Sequence, residues 1–175
     1  RAPGHEDEGE QIELVLVQLG RELYGLEAQY IFDIRPAEHI TRVPRVPDWV
    51  AGMVNLRGHV LSVVDLQRFF GLPCAGRNGH NGDNGPATPY LVVVEAPDME
   101  LVLVVDDVLT VEALPANRLQ DVADTIRGLP PEYVRGVAER RSGDTPPSGD
   151  GSMLVILDLP ALLADKRLIV HEDIV

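Results

Sequence analysis

The most constraining feature of the chain is the shortness of its apolar runs. No purely apolar run exceeds five residues, as in Leu101–Val105, which Asp106 closes. Short apolar runs bounded by turn residues fit short strands. Residues 12–19 alternate with apolar side chains on both faces, which predicts a strand buried at least partly on each side. Further strands are predicted over 23–26, 30–35 (halted by Pro36), 40–43 (halted by Pro44), 52–56, 60–66, 90–95, 100–105, 108–112, 134–139 and 153–157. Arg57-Gly58-His59 reads as a hairpin turn between two of them. One helical turn anchored by Trp49 is predicted over 47–51. Asp65 stands where a carboxylate begins a short helix over 66–70, and a second helix is predicted over 158–164, with Pro160 tolerated in its first turn.

About ten short strands with few helices predict an all-β chain, and five-stranded closed barrels fit that number better than one large barrel. Residues 71–89 and 140–152 are rich in Gly, Asn, Ser and Pro and read as flexible loops. The expected organisation is therefore an acidic lead-in (1–11), one domain (12–165) and a tail (166–175). Within the domain a first barrel covers about 20–70 and a second about 90–157. Strand 12–19 and the C-terminal helix are free to cross between them.

The net charge of −13 argues against a nucleic-acid partner, because phosphate binding needs a concentrated basic surface. Acid is unevenly placed. Residues 21–70 balance six basic against six acidic groups, whereas residues 91–175 carry seven against sixteen. Cys74 is the sole cysteine, so no internal disulfide forms and a reducing compartment is the natural reading. No run is long enough to insert into a membrane. Residues 1–10 are polar and acidic, unlike a signal peptide.

No catalytic constellation emerges. None of His5, His39, His59, His80 and His171 pairs with another at metal-ligand spacing. The stretch His80–Gly85 lacks the distal Glu of a calcium loop. Asp106 and Asp107 are adjacent and point to opposite faces of a strand, so they do not share an acid–base site. An enzymatic or metal-binding barrel using His80, Asp83 and His171 remains as a remote alternative. Neither cofactor nor metal is expected.

Asn55-Leu56-Arg57-Gly58 followed by Val63-Val64-Asp65-Leu66 is the most specific pattern in the chain. From Asp33 to Leu66 the sequence resembles the first half of the CheW-like family. It holds, in order, an acidic-Ile-Arg strand, a Thr-Arg turn, a Pro-containing turn, Gly, Asn-Leu-Arg-Gly and a Val-Asp-Leu strand end. Val104 to Val108, Tyr133 to Gly136 and Met153 to Leu163 resemble later parts of the same domain. The resemblance covers roughly residues 12–165.

What it implies is two five-stranded SH3-like barrels sharing a hydrophobic core. The implied function is a non-catalytic, cytoplasmic adaptor at receptor arrays. It would couple the signalling tip of chemoreceptors to the regulatory domain of a CheA-type histidine kinase. By position beside the motif, Ile31, Ile40, Val43 and Gly52 are candidate kinase-binding residues. Val102 and Val104 are candidate receptor-binding residues, although the family usually has Gly or Ala where Val102 stands. Gly52 reads as a site of close backbone approach or positive φ. Asp33 and Arg57 are expected to pair, either to hold strands together or to bind a partner. The chain begins with Arg rather than Met, so a CheW-like regulatory domain of a larger kinase or adaptor–receiver fusion is the alternative.

Overall fold

The structure, a computed structural model, describes residues 10–20, 22–72, 88–96, 99–126, 128–139, 153–165 and 168. The described chain is mainly β. Its strands are β1 (Gln11–Leu19), β2 (Glu22–Glu27), β3 (Ile31–Pro36), β4 (Val50–Leu56), β5 (His59–Asp65), β6 (Tyr90–Ala96), β7 (Met99–Val105), β8 (Asp107–Pro115), β9 (Val134–Glu139) and β10 (Met153–Leu157). Helix α1 (Leu66–Phe70) follows β5, and α2 (Leu159–Leu163) follows β10. Most of loop 71–89, all of loop 140–152, most of the lead-in and nearly all of the tail lie outside the described residues, as do Cys74, His80, Asp83 and His171.

The strands form two five-stranded sheets, as expected. Barrel 1 has the order β8-β1-β2-β10-β9, and barrel 2 the order β3-β6-β7-β5-β4. Their division along the chain differs from the sequential halves predicted. Barrel 2 is continuous from β3 to β7, and barrel 1 is built from the two ends of the chain. The reason lies in β1. It pairs with β2 on one side and with β8, nearly a hundred residues away, on the other. Loop 71–89 consequently falls inside barrel 2, between α1 and β6, and is not a boundary.

The two buried faces of β1 explain how the barrels share a core. Leu14 and Leu16 point into barrel 1 with Ile12, Leu23, Leu114 and Ile156. Val15 and Val17 point the other way, into a central layer with Tyr24, Val64, Val92 and Leu103 from both sheets. Barrel 2 has its own interior of Val54, Val63, Leu91, Val93, Val102 and Val104. Each fully buried Val or Leu contributes about 1.5–3 kcal/mol, so this three-layer core, more than any polar contact, carries the fold.

Chain order conceals an internal repeat. In each barrel an antiparallel hairpin joins a parallel pair (β2 with β10, β7 with β5). Trp49-Val50-Ala51-Gly52-Met53 and Tyr133-Val134-Arg135-Gly136-Val137 begin equivalent strands. Each is bulged just before its glycine. The Trp49 carbonyl accepts from Asp65 N at 2.7 Å, and the Tyr133 carbonyl from Asp158 N at 2.9 Å. Both aspartates then cap helices: Asp65 Oδ1 accepts from Arg68 N at 3.3 Å and Asp158 Oδ1 from Ala161 N at 3.0 Å. Trp49 and Tyr133 converge on Phe69, with ring centroids 5.6 Å and 6.0 Å away.

Two local expectations change. Residues 40–43 are not a strand. Thr41 alone bridges to Met53, because His39 (φ 60°) and Arg45 (φ 62°) turn the backbone away on either side. Residues 47–51 are not a helical turn either. Val50 N donates to the Pro47 carbonyl at 3.0 Å and β4 starts at once. Trp49 remains the apolar anchor there. Among the described residues no helix is long and apolar enough to cross a membrane.

Candidate functional site

The β4–β5 hairpin is the most distinctive local structure. Arg57 (φ 55°) and Gly58 (φ 82°) are both left-handed, the requirement of a two-residue turn whose twist matches the strands it joins. Gly adopts this conformation freely, whereas Arg does so at a cost. The Arg57 guanidinium is exposed and lies over the Phe32 ring, 4.6 Å from its centroid. Such a contact returns about 0.5–1 kcal/mol at an exposed site.

Asp33 does not form the expected contact pair with Arg57. Its Oδ2 accepts from Arg35 at 2.6 Å, and its Oδ1 from the Ile34 amide at 2.8 Å. The hydrogen bond from Arg35 is the main cause of a carboxyl pKa below its ordinary value. Partial desolvation opposes that shift, while the Ile34 amide and the charges of Arg35 and Arg57 assist it. Arg57 thus acts on Asp33 through space. Being exposed, it needs no buried counter-ion. These groups border an open cleft of about 220 Å³, floored by Leu56, Leu61 and Val93. Glu100 is on its rim and lies opposite Glu95 across β6 and β7. The hydrogen bond between these two carboxyls, with some desolvation and mutual repulsion, raises the Glu95 pKa.

The other predicted residues divide by depth. Ile31 is half-buried against the central layer, and Ile40 packs on the interior of barrel 2. Val43 is half-buried in a second, larger cleft of about 400 Å³ with Arg42, Val46, Pro47, Asp48 and Arg68. Gly52 is buried at φ 150°, and a Cβ there would meet the Thr41 carbonyl oxygen at 2.3 Å. The close approach expected of this glycine is what holds segment 40–43 on β4. Val102 and Val104 are 0% and 4% exposed, inside barrel 2. They offer no surface to a partner, contrary to expectation, because β7 is covered on both faces and flanked by β5 and β6.

Four exposed apolar side chains escaped the sequence reading: Phe32, Val60, Leu109 and Val111. For Phe32 the signal was present, since alternation in β3 sends it opposite to Ile31 and Asp33. Val111 pairs with Val15, so both side chains stand on the same face of the sheet. Val15 enters the central layer there, and Val111 therefore borders the junction of the barrels. Among the described residues no three His, Cys, Asp or Glu side chains cluster as metal ligands would.

The sequence profile of the CheW-like domain matches residues 13–167. This chain belongs to the CheW-like family. A "Chemotaxis protein CheW" of Treponema pallidum is 29% identical over 162 residues, covering 91% of this chain and 86% of the relative. One from Klebsiella aerogenes is 24% identical over 162 residues, covering 93% and 87%. The crystal structure of the scaffolding protein TtCheW from Thermoanaerobacter tengcongensis superposes with a TM-score of 0.68 at 25% identity, covering 86% of each chain. The CheW-like fold accounts for the paired barrels, and membership supports a chemotaxis scaffold rather than an enzyme.

Proposed function

We propose that this chain is a non-catalytic cytoplasmic adaptor coupling chemoreceptors to a CheA-type histidine kinase. The kinase regulatory domain docks on the rim of barrel 2 around Val43. Ile40 and Gly52 shape that rim from beneath, and Ile31 braces it from the central layer. The receptor tip, a helical bundle, lies along the barrel junction where β8 exposes Leu109 and Val111.

The observation that carries this reading is the exposure of apolar side chains on a rigid β frame. Phe32 is 49%, Val60 59% and Val111 55% exposed. Apolar side chains left in water on well-packed strands are available for a partner to cover, at about 25 cal/mol per Å². Arg57 over Phe32 adds the aromatic–arginine composition common at binding hot spots. Val102 and Val104 serve the receptor contact indirectly, by fixing the sheet.

The test is a calorimetric titration of the chain with the regulatory domain of its cognate kinase, and separately with a receptor signalling-tip fragment. Val43→Glu and Val111→Glu variants are run alongside, their folding checked by circular dichroism. Saturable binding of both partners is expected, with Val43→Glu losing the kinase alone and Val111→Glu the receptor alone. Absence of binding to either partner by the folded wild type would overturn the adaptor reading.

A further inference from the structure

We infer that the mouth of barrel 2, beside the β4–β5 hairpin, binds a small zwitterion: a free α-amino acid with an apolar side chain of the size of leucine. Strand alternation places the site. Side chains two apart share a face, so the interior face of barrel 2 continues from Leu91 and Val93 to Glu95 along β6, and from Val104 and Val102 to Glu100 along β7. On β3, Asp33 pairs with Val93 and Arg35 with Leu91, which turns both to that same face. The interior is therefore apolar at depth and charged at one end.

Barrel 1 differs at the corresponding level. Ala37 N donates to the Pro89 carbonyl and Ala116 N to the Glu10 carbonyl, both at 2.9 Å, which aligns β3 and β6 with β8 and β1. The cross-strand pair Glu95–Glu100 then corresponds to Leu16–Gly25. Leu16 is fully buried, and a Cβ on Gly25 would meet Ile156 at 3.2 Å and Leu14 at 3.4 Å, so barrel 1 is filled there. Barrel 2 instead holds the cleft of about 220 Å³ floored by Leu56, Leu61 and Val93. Mouths of β-barrels are preferred places for small-molecule sites, and drug-sized ligands occupy roughly 300–1,000 Å³, so the occupant here is smaller.

The lining fixes the chemistry. The outer strand β3 and the hairpin bring two guanidinium groups with unused donors. The Arg57 guanidinium rests on the Phe32 ring and hydrogen-bonds to no described residue. Arg35 Nε is buried with no partner among the described residues, although Nη2 of the same group is held by Asp33. A buried donor without an acceptor is costly, and the planar guanidinium fork matches a carboxylate. Asp33 does not compete, being engaged by Arg35 and the Ile34 amide. Across the cleft, on the central strand β7, Glu100 shares a hydrogen bond with Glu95. Two carboxyls so joined hold a proton between them. A ligand ammonium takes its place, and the proton passes to solvent. Between the two sides lies the aliphatic floor, which suits a branched apolar side chain. A simple carboxylic acid would leave Glu100 unmet, and a simple amine would leave the two arginines unmet. A phosphate would be repelled by Glu100.

The experiment is an amide NMR titration of the full chain with three probes of like shape: L-leucine, 4-methylpentanoate, which lacks the ammonium, and 3-methylbutylamine, which lacks the carboxylate. Saturable shifts are expected with leucine, largest at the amides of Phe32, Arg57, His59 and Glu100. Each partial probe should bind about tenfold more weakly or worse, the loss of one hydrogen-bonded charge. Arg57→Gln should weaken leucine by a similar factor and leave 3-methylbutylamine unchanged, whereas Glu100→Gln should weaken leucine and leave 4-methylpentanoate unchanged. Arg118→Gln, which removes a cation from barrel 1, should bind leucine as wild type does. The comparison of probes on wild type stands even if a variant fails to fold. No saturable shift with leucine up to about 10 mM, equal binding of the three probes, or a loss in Arg118→Gln as large as that in Arg57→Gln each overturns the proposal. No kinase or receptor is present, so this outcome is independent of the adaptor reading.

Discussion

Arg57 lies over the ring of Phe32 and not against the carboxylate of Asp33, which Arg35 holds instead at 2.6 Å. The difference decides what Arg57 is for. A buried pair broken on one side costs about 3–5 kcal/mol because a charge is left stranded. An exposed cation on an aromatic face is worth about 0.5–1 kcal/mol. Arg57→Ala is therefore expected to lower unfolding free energy by less than about 1 kcal/mol in urea denaturation. A loss near 3 kcal/mol would mean that Arg57 is a structural ion-pair partner after all.

The pH dependence of Asp33 tests the same assignment. Its folded pKa lies below 3.8, chiefly through Arg35. A carboxyl with a depressed folded pKa contributes stability that is fully present above its unfolded pKa and is lost as pH falls through the folded value. Wild type and Asp33→Asn should thus differ above about pH 4 and converge below it. Titration followed by carboxyl-carbon NMR should show Arg35→Ala raising the Asp33 pKa more than Arg57→Ala does. The reverse order would restore Arg57 as the principal partner.

Gly52 separates two roles that glycine plays in this fold. At Gly58 a Cβ meets nothing within 4 Å, and only the positive φ of 82° penalises a side chain. Gly58→Ala is expected to cost about 1 kcal/mol. At Gly52 the Cβ meets backbone at 2.3 Å, so segment 40–43 must leave β4. Gly52→Ala should cost roughly 3 kcal/mol or more, in the range of overpacked cores with added backbone strain. Hydrogen exchange should show the Thr41 and Met53 amides losing protection. Equal costs at the two glycines would show that φ alone, not contact, governs both.

Much of the fold was legible because it is local. The Arg57-Gly58 turn, the carboxylate cap at Asp65, the helix containing Pro160 and the double burial of β1 each need only neighbouring residues to declare themselves. Barrel membership was not legible, since the pairing of Ile12 with Leu114 or Leu16 with Thr110 joins distant residues with no compositional mark. The repeat linking Trp49 to Tyr133 was hidden by low identity and by insertions of different length. The site was read least well. Leu101–Val105 is apolar at every position, so nothing in it tells a partner-facing valine from an interior one. Val43, Ile40 and Gly52 were singled out by their place beside the family motif and not by any mark of exposure in the sequence.

Val102 carries the last contrast. It is fully buried between β5 and β6, paired with Val63 and Val93, whereas Val60 is 59% exposed on the same barrel. Removing two methyl carbons from the interior sacrifices their transfer free energy and leaves a cavity. Val102→Ala is expected to cost about 1–3 kcal/mol, and Val60→Ala to stay within about 0.5 kcal/mol of wild type. Binding should respond in the opposite order. At a temperature where both variants are folded, Val102→Ala should bind kinase and receptor as wild type does, because its side chain reaches no surface. Val60→Ala should weaken whichever partner covers the β4–β5 hairpin, read as a faster dissociation rate. If Val102→Ala, fully folded by circular dichroism, lost receptor binding while Val60→Ala kept both partners, the receptor contact would have to reach barrel 2 through a rearranged β7.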